Sequence, residues 1–380
     1  MIYMDNAATS FPKPESVYQA VDYFNRYLGG NPGRGSHHAT LKAGSILLET
    51  REALARLFNI DNSDQIAFTA NITDSINIAL KGFLKPGDHV ISTSMEHNAV
   101  ARPLNALSKR GVEWTAVPCA PDGSLDPEEI RKAIKPNSRM VCILHASNLT
   151  GTIMPIAQVG KICRDNGLIF LVDSAQSAGV LPINVIEQNI DMLAFTGHKG
   201  LLGLQGVGGL YVSPQVKLSI LKEGGTGSFS ESLEHPEFMP DRLESGTPNT
   251  PGIVGLLAGI NFIFETGIMK IRRHEQELTE ILINGLKEIK GVKLYGPCDS
   301  KRQTAVIAFN IDGVDCGQVS MQLDYEYGIV TRSGLHCAPL AHQVIGTLKQ
   351  GSCRLSPGYF TTREEIETVI KSIHTIARRT

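Results

Sequence analysis

The chain has 380 residues, with 36 basic against 38 acidic side chains and a net charge of −2. Its 42% apolar and 19% charged content is that of a globular protein, without the basic footprint of a nucleic-acid binder. No apolar run reaches the length of a membrane span: the best, Ile253–Phe264, is interrupted by Asn261 and followed by Glu265.

The first ten residues, MIYMDNAATS, have neither a basic nor an apolar leader segment, so a cytoplasmic protein is expected. Glu15–Leu28 and Thr40–Phe58 read as helices, with apolar residues at i, i+3 and i+4. The glycine-rich stretch between them, GGNPGRGSHH, reads as a loop ending in a basic cluster. From residue 64 short β-branched runs follow at Gln65–Thr69, His89–Thr93, Glu113–Val117, Arg139–His145, Leu168–Asp173, Met192–Phe195 and Gly206–Val212. Helical patterns at Thr73–Lys81, Asn98–Arg110, Asp126–Ala133 and Ile156–Asn166 separate many of them. Strands alternating with helices predict an α/β fold with a seven-stranded, mostly parallel sheet, and the short last connection predicts one antiparallel strand.

Residues 212–252, rich in Gly, Ser, Thr and Pro, read as loops, and helical stretches follow at Pro251–Phe264 and Ile268–Ile289. The remainder alternates again: Thr304–Asn310, a helix around Cys316–Asp324, Gly328–Thr331, then Cys353–Leu355. A last helix starts at Thr362, with Glu365 completing a capping box. The expected division is an N-terminal segment over 1–14, a large domain over 15–264 and a smaller α+β domain over 265–380.

Ligands of open α/β sheets bind beyond the carboxyl ends of the strands. Several predicted strands deliver polar groups there: Asn71-Ile72-Thr73-Asp74 opening a helix, Glu96-His97, Ser147-Asn148, Asp173 with Gln176, and Thr196-Gly197-His198-Lys199. A helix N-terminus suits a phosphate. A lysine can form a Schiff base with an aldehyde, a buried carboxylate can keep a pyridine nitrogen protonated, and an imidazole can stack on the ring. Pyridoxal phosphate needs all three together. Gly203–Gly209 is not GxGxxG and precedes a strand, no Walker A sequence occurs, and His37-His38 lacks company for a metal, so no metal is expected.

The seven cysteines are odd in number and include no CxxC pair, which points to reduced thiols rather than a disulfide framework. Most read as core filler. Cys337, in RSGLHCAP, has no strand or helix periodicity around it and is the candidate reactive thiol.

The stretches YMDNAAT (3–9), MEHNA (95–99), SNLTGT (147–152), VDSAQ (172–176), TGHKG (196–200), SGTPNT (245–250) and RSGLHCA (332–338) resemble the class V aminotransferase superfamily. More narrowly, the chain is similar to the cysteine desulfurases, closer to the group II branch that includes selenocysteine lyases. The resemblance runs from Tyr3 to the last helix and implies fold type I. It implies that Lys199 carries pyridoxal phosphate and shuttles a proton, that Asp173 pairs with the pyridine nitrogen, Gln176 with the ring hydroxyl, and that His97 stacks on the ring. Ile72, Thr73, Thr196 and His198 would hold the cofactor at its phosphate end, with Thr247 reaching it from the partner subunit of a homodimer. Asn148 and Arg354 would hold the substrate carboxylate, near Ala8, Arg34 and His37 of the N-terminal region.

Cys337 would take sulfur from L-cysteine as a persulfide, releasing L-alanine, and pass it to an acceptor protein or a small thiol. His336 and Arg332 are the local candidates for a cation that favours the thiolate. L-selenocysteine is the alternative substrate, and another class V aminotransferase-type enzyme the alternative activity. Leu335 stands where many group II enzymes carry a second histidine, which bears on the subgroup and the sulfur acceptor.

Overall fold

The computed structural model describes residues 1–33, 35 and 37–379. In chain order the elements are β1 (Ile2–Tyr3), α1 (Glu15–Tyr23), α2 (His38–Phe58), β2 (Ile66–Thr69), α3 (Ile72–Phe83), β3 (His89–Thr93), α4 (Asn98–Ser108) and β4 (Glu113–Val117). Next come α5 (Pro127–Lys132), β5 (Ser138–Leu144), α6 (Ile156–Asp165), β6 (Ile169–Asp173), β7 (Met192–Thr196) and β8 (Gly208–Val212). The chain continues through α7 (Thr250–Thr266), α8 (Ile268–Lys287), β9 (Val292–Tyr295), β10 (Ile307–Ile311) and α9 (Cys316–Tyr327). It ends with β11 (Ile329–Val330), β12 (Arg332–Gly334), α10 (Pro339–Val344), β13 (Ser352–Leu355) and α11 (Arg363–Ala377).

Seven strands form one sheet in the order β2-β8-β7-β6-β5-β3-β4. Only β8 runs antiparallel to its neighbours, β2 and β7, as the short connection before it predicts. Strands β3, β5, β6 and β7 are buried on both faces, apart from the half-buried Ile169 and the exposed Arg139, which is why they read as near-continuous apolar runs rather than alternating ones. One apolar cluster, containing Phe58, Ile143, Phe195 and Leu256, packs α2, α6 and α7 against the sheet. A second, containing Ile76, Leu104, Met140 and Met192, sits under α3 and α4.

A separate apolar cluster lies around a four-stranded antiparallel sheet, β12-β13-β10-β9. It gathers Leu282 and Leu286 of α8, Val319 of α9 and Ile366 and Ile373 of α11. It also takes in Met4 from the far end of the chain, because β1 pairs in parallel with β11, Ile2 with Ile329 and Tyr3 with Val330. Gly267, at φ 89°, separates α7 from α8, whose axes differ by 83°. Among the described residues no single helix is long and apolar enough to cross a membrane.

The observed boundaries depart from the expected ones for local reasons. Phe24–Leu28 continue α1 as a single π-turn that closes on the left-handed Gly29. β8 starts at Gly208, because Gly206 at φ 82° is a turn residue. β1, β9, β12 and α10 depart from the expected elements, β12 falling within the RSGLHCAP stretch that shows no strand periodicity. β1 has only two residues and exists through its partner, and α10 is a six-residue helix opened by Pro339. The capping box at α11 forms as expected: Thr362 accepts from the Glu365 amide at 3.2 Å, and Glu365 accepts from the Thr362 amide at 2.9 Å.

Candidate active site

Lys199 follows β7 in a turn, and Asp173 ends the neighbouring strand β6. Burial lowers the Lys199 ammonium to about 8, opposed by the Asp173 carboxylate and assisted by Arg354 and Arg332. Asp173 is fully buried; desolvation raises its carboxyl, while the Ala175 amide, donating to Oδ1 at 2.9 Å, and Lys199 hold it down. A buried acid and a lysine thus share one low-dielectric pocket.

His97 caps α4, its Nδ1 accepting the Ala99 amide at 3.0 Å. Burial lowers the ring to about 4, with Lys199, Arg332, Arg102 and Arg354 adding to the shift. The imidazole is therefore neutral near pH 7, and the cap fixes its proton on Nε2. The preceding Glu96 is fully buried. It accepts from the Thr93 hydroxyl at 2.6 Å and the Leu144 amide at 3.1 Å, and desolvation pushes its carboxyl up to about 8.

Around Lys199, Thr196 Oγ1 and His198 Nδ1 are buried without a hydrogen-bond partner. Burial, then Lys199 and Lys13, lowers His198 to about 4. Ile72 and Thr73 form the first turn of α3, whose cap is Asn71, accepting the Asp74 amide at 3.1 Å. Two orphaned polar atoms beside a lysine of lowered pKa and a buried carboxylate fit a phosphorylated pyridine aldehyde.

Arg354 on β13 is 1% exposed. Its Nη2 donates to Asp5 Oδ1 at 2.6 Å and its Nη1 to the Asn148 carbonyl at 2.9 Å, while Nε is buried without a partner. The Asn148 amide Nδ2 donates to the His336 carbonyl at 2.8 Å, and its Oδ1 is unpartnered. Asn148 and Arg354 therefore meet, and Asp5, which carries no local signal of a ligand, joins them. Its only mark in the sequence is a carboxylate between Met4 and Asn6 in an otherwise uncharged start.

Residues 2–13 tie β11 to the turn holding Lys199. Gln176 Nε2 donates to the Ala7 carbonyl at 2.9 Å. The Ser10 amide donates to the His198 carbonyl at 3.0 Å, and the Ser10 hydroxyl to the Lys199 carbonyl at 2.9 Å. Lys13 Nζ reaches the His198 carbonyl at 2.8 Å. Ala8 follows Ala7 in this strap, its amide on the Asp5 carbonyl at 3.0 Å.

All seven cysteines are free, and Cys337 is the exposed one. It stands on a fastened loop: its carbonyl accepts the Asn98 amide at 2.8 Å, next to His97. The preceding carbonyl is held by Asn148, and the Ala338 amide closes on the Leu335 carbonyl at 2.8 Å. His336 and Cys337 both have left-handed φ, 50° and 55°. The His336 ring points inward and stacks on His342 at 5.7 Å, and His342 Nδ1 meets Thr347 Oγ1 at 2.6 Å. Desolvation and then Arg354 lower His336 to about 3, so it is not the cation expected beside Cys337. That expectation is corrected by burial.

Two expected site residues, Thr247 and His37, lie apart from this cluster within the protomer. Thr247, exposed before α7, lines a different cavity of about 470 Å³ with Arg51 and Glu244. His37 caps α2, its ring meeting the Thr40 amide at 3.4 Å and hydroxyl at 3.1 Å. Arg34 lies outside the described residues.

Residues 2–369 match the family model for class-V aminotransferases, so fold and site define a pyridoxal-phosphate enzyme of that family. The chain is 36% identical to a probable cysteine desulfurase of Methanothermobacter thermautotrophicus, over 99% of this chain and 94% of that protein. It is 31% identical to a cysteine desulfurase of Pectobacterium atrosepticum, covering 100% and 93%. Its structure superposes on the apo structure of cysteine desulfurase from Thermococcus onnurineus NA1 with a TM-score of 0.94 at 33% identity, covering 100% and 95%. The chain belongs to the cysteine desulfurase family.

Proposed function

We propose that this chain converts L-cysteine to L-alanine and holds the released sulfur on Cys337 as a persulfide for an acceptor protein or small thiol, working as a homodimer. The observation that carries the proposal is the placement of Cys337: exposed, on a loop fastened to Asn98 beside His97 and to Asn148 beside Arg354.

Pyridoxal phosphate, when bound, supplies an electron sink for the bond cleavages at the amino acid. Asp173 would pair with the ring nitrogen and keep it protonated, His97 would stack on the ring, and Gln176 would hydrogen-bond the ring hydroxyl. Thr73, Thr196, His198 and Thr247 of the partner subunit would hold the phosphate, Thr196 Oγ1 and His198 Nδ1 being buried without a partner. Three Arg354 N–H bonds not engaged by Asp5 or Asn148 are available to the substrate carboxylate. Lys199, with its pKa lowered to about 8, is poised to take the Cα proton and deliver it on the alanine side.

The Cys337 thiolate attacks the substrate sulfur. The Cβ–S bond breaks and an S–S bond forms, so carbon is reduced, sulfur oxidised, and a proton ends on Cβ. No external oxidant is needed. The domain division proposed is 1–14, 15–264 and 265–380, with Met4 packed into the third unit.

The test is incubation of the holoenzyme with L-cysteine and a reducing thiol, quantifying alanine and sulfide. Lys199→Ala should abolish both products, and Cys337→Ala should abolish cysteine desulfuration. Full activity in Cys337→Ala would overturn the acceptor assignment, and retained activity on L-selenocysteine alone would identify a selenocysteine lyase.

A further inference from the structure

A groove of about 380 Å³ opens at Cys337 and runs outward between α3 and α4. Its walls are two helical stripes at four-residue spacing: Thr73, Asn77 and Lys81 on α3, and Asn98, Arg102 and Ala106 on α4. Residues four apart lie on one face of a helix, so each helix presents one continuous edge to the groove. Thr73, Lys81, Arg102 and Ala106 are exposed.

The charges on the walls are the two cations, Lys81 and Arg102. Neither Lys81 nor Arg102 is ion-paired among the described residues. Other exposed basic side chains, such as Arg131 with Glu128 and Lys132 with Glu129, are neutralised by a carboxylate one turn away, whereas Lys81 and Arg102 are left free to meet one from outside. The Cys337 loop is fastened on both sides, so a receiving nucleophile must come to the sulfur. The groove is the depression that Cys337 itself lines.

We propose that this α3–α4 groove docks the sulfur acceptor, and that the acceptor is a protein segment presenting its cysteine between acidic residues. The proposal deepens the function above and rests on the persulfide at Cys337. In the step itself the acceptor thiolate attacks the outer sulfur of the Cys337 persulfide. A new S–S bond forms on the acceptor, the old one breaks, and Cys337 leaves as thiolate, so electrons balance without a further reagent. Lys81 and Arg102 would attract the flanking carboxylates and accelerate encounter, an effect that salt screens.

The experiment loads the holoenzyme with L-cysteine, removes the excess, and chases with one of two synthetic peptides. One carries a single cysteine flanked on each side by two glutamates, the other by two lysines, and mass spectrometry follows peptide persulfide and Cys337 persulfide. At low salt the glutamate peptide should take sulfur roughly fivefold faster than the lysine peptide, as expected for two exposed ion pairs. The ratio should fall toward one at high salt and invert in the doubly reversed Lys81→Glu, Arg102→Glu enzyme. Ala106→Trp, which fills the groove by bulk alone, should slow both peptides while release by dithiothreitol is unchanged.

Equal rates for the two peptides, or a ratio that the double reversal leaves intact, would overturn the docking proposal. Failure of Cys337 to become persulfidated in the loading step would instead overturn the parent reading. Loading and transfer are read separately, so the two failures are distinguishable.

Discussion

Arg354 is held by Asp5. The guanidinium, 1% exposed, donates to Asp5 Oδ1 at 2.6 Å across 349 positions of sequence. A buried cation without a counter-ion is costly, and truncating one partner leaves the other charge uncompensated. Asp5→Ala should therefore let Arg354 drift and raise KM for L-cysteine about tenfold, with a smaller change in kcat. Asp5→Asn keeps an acceptor for Nη2 and should rescue most of that loss. Equal KM in wild type and Asp5→Ala would show that Asp5 does not orient Arg354.

The orphaned Thr196 hydroxyl separates cofactor binding from folding. Its Oγ1 has no partner within the protein, so Thr196→Val should leave the melting temperature of the cofactor-free chain nearly unchanged. The same change removes a hydrogen bond to an anion, and pyridoxal phosphate should dissociate about tenfold more readily. Visible absorbance during dialysis measures this directly.

Glu96 makes stability depend on pH in the direction opposite to that of a salt-bridged acid. Its folded pKa is raised to about 8 from 4.5, so the folded chain binds a proton that the unfolded chain releases within this window. The stability contributed by this group is full below the window and falls as pH rises through it. The melting temperature of Glu96→Gln, measured against wild type, should improve steadily from about pH 5 to about pH 8, whatever the constant offset between them. A parallel pair of curves would mean that Glu96 is ionised throughout.

The stacked His336–His342 pair anchors the loop of Cys337 from within. His342→Ala strands the Thr347 hydroxyl and the His336 ring, costing about 1–3 kcal/mol. Hydrogen exchange across residues 334–338 should speed up, and kcat should fall without loss of bound cofactor. Unchanged exchange there would show the loop to be held by its backbone bonds alone.

The end of the chain offers a simpler check. Thr362→Ala removes the cap of α11 and should lower stability by about 1 kcal/mol with kcat/KM unchanged.

The large sheet and most of the site were legible because their signals are local. β-branched runs bounded by turns marked β3 to β8, and polar residues just beyond strand ends marked Asp173, Lys199 and His97. The alternation of strands with helices then placed those ends on one edge. The misses share a cause: they depend on partners distant in sequence. β1 exists through β11, and the Asp5–Arg354 pair spans nearly the whole chain. His336 looked like a cation because sequence shows adjacency to Cys337, whereas the direction of its ring, into the protein against His342, follows from two consecutive left-handed residues. His37 carries no short-range signal that tells a helix cap from a ligand.

The strap over residues 2–13 gives the molecule a lever. One end pairs with Ile329 and Val330 of β11 in a two-stranded sheet, and the other grips the carbonyls of His198 and Lys199. A shift of β11 would therefore be carried along the strap to the backbone that bears Lys199. The turn bearing Lys199 and the short strand β11 are thereby geared to each other.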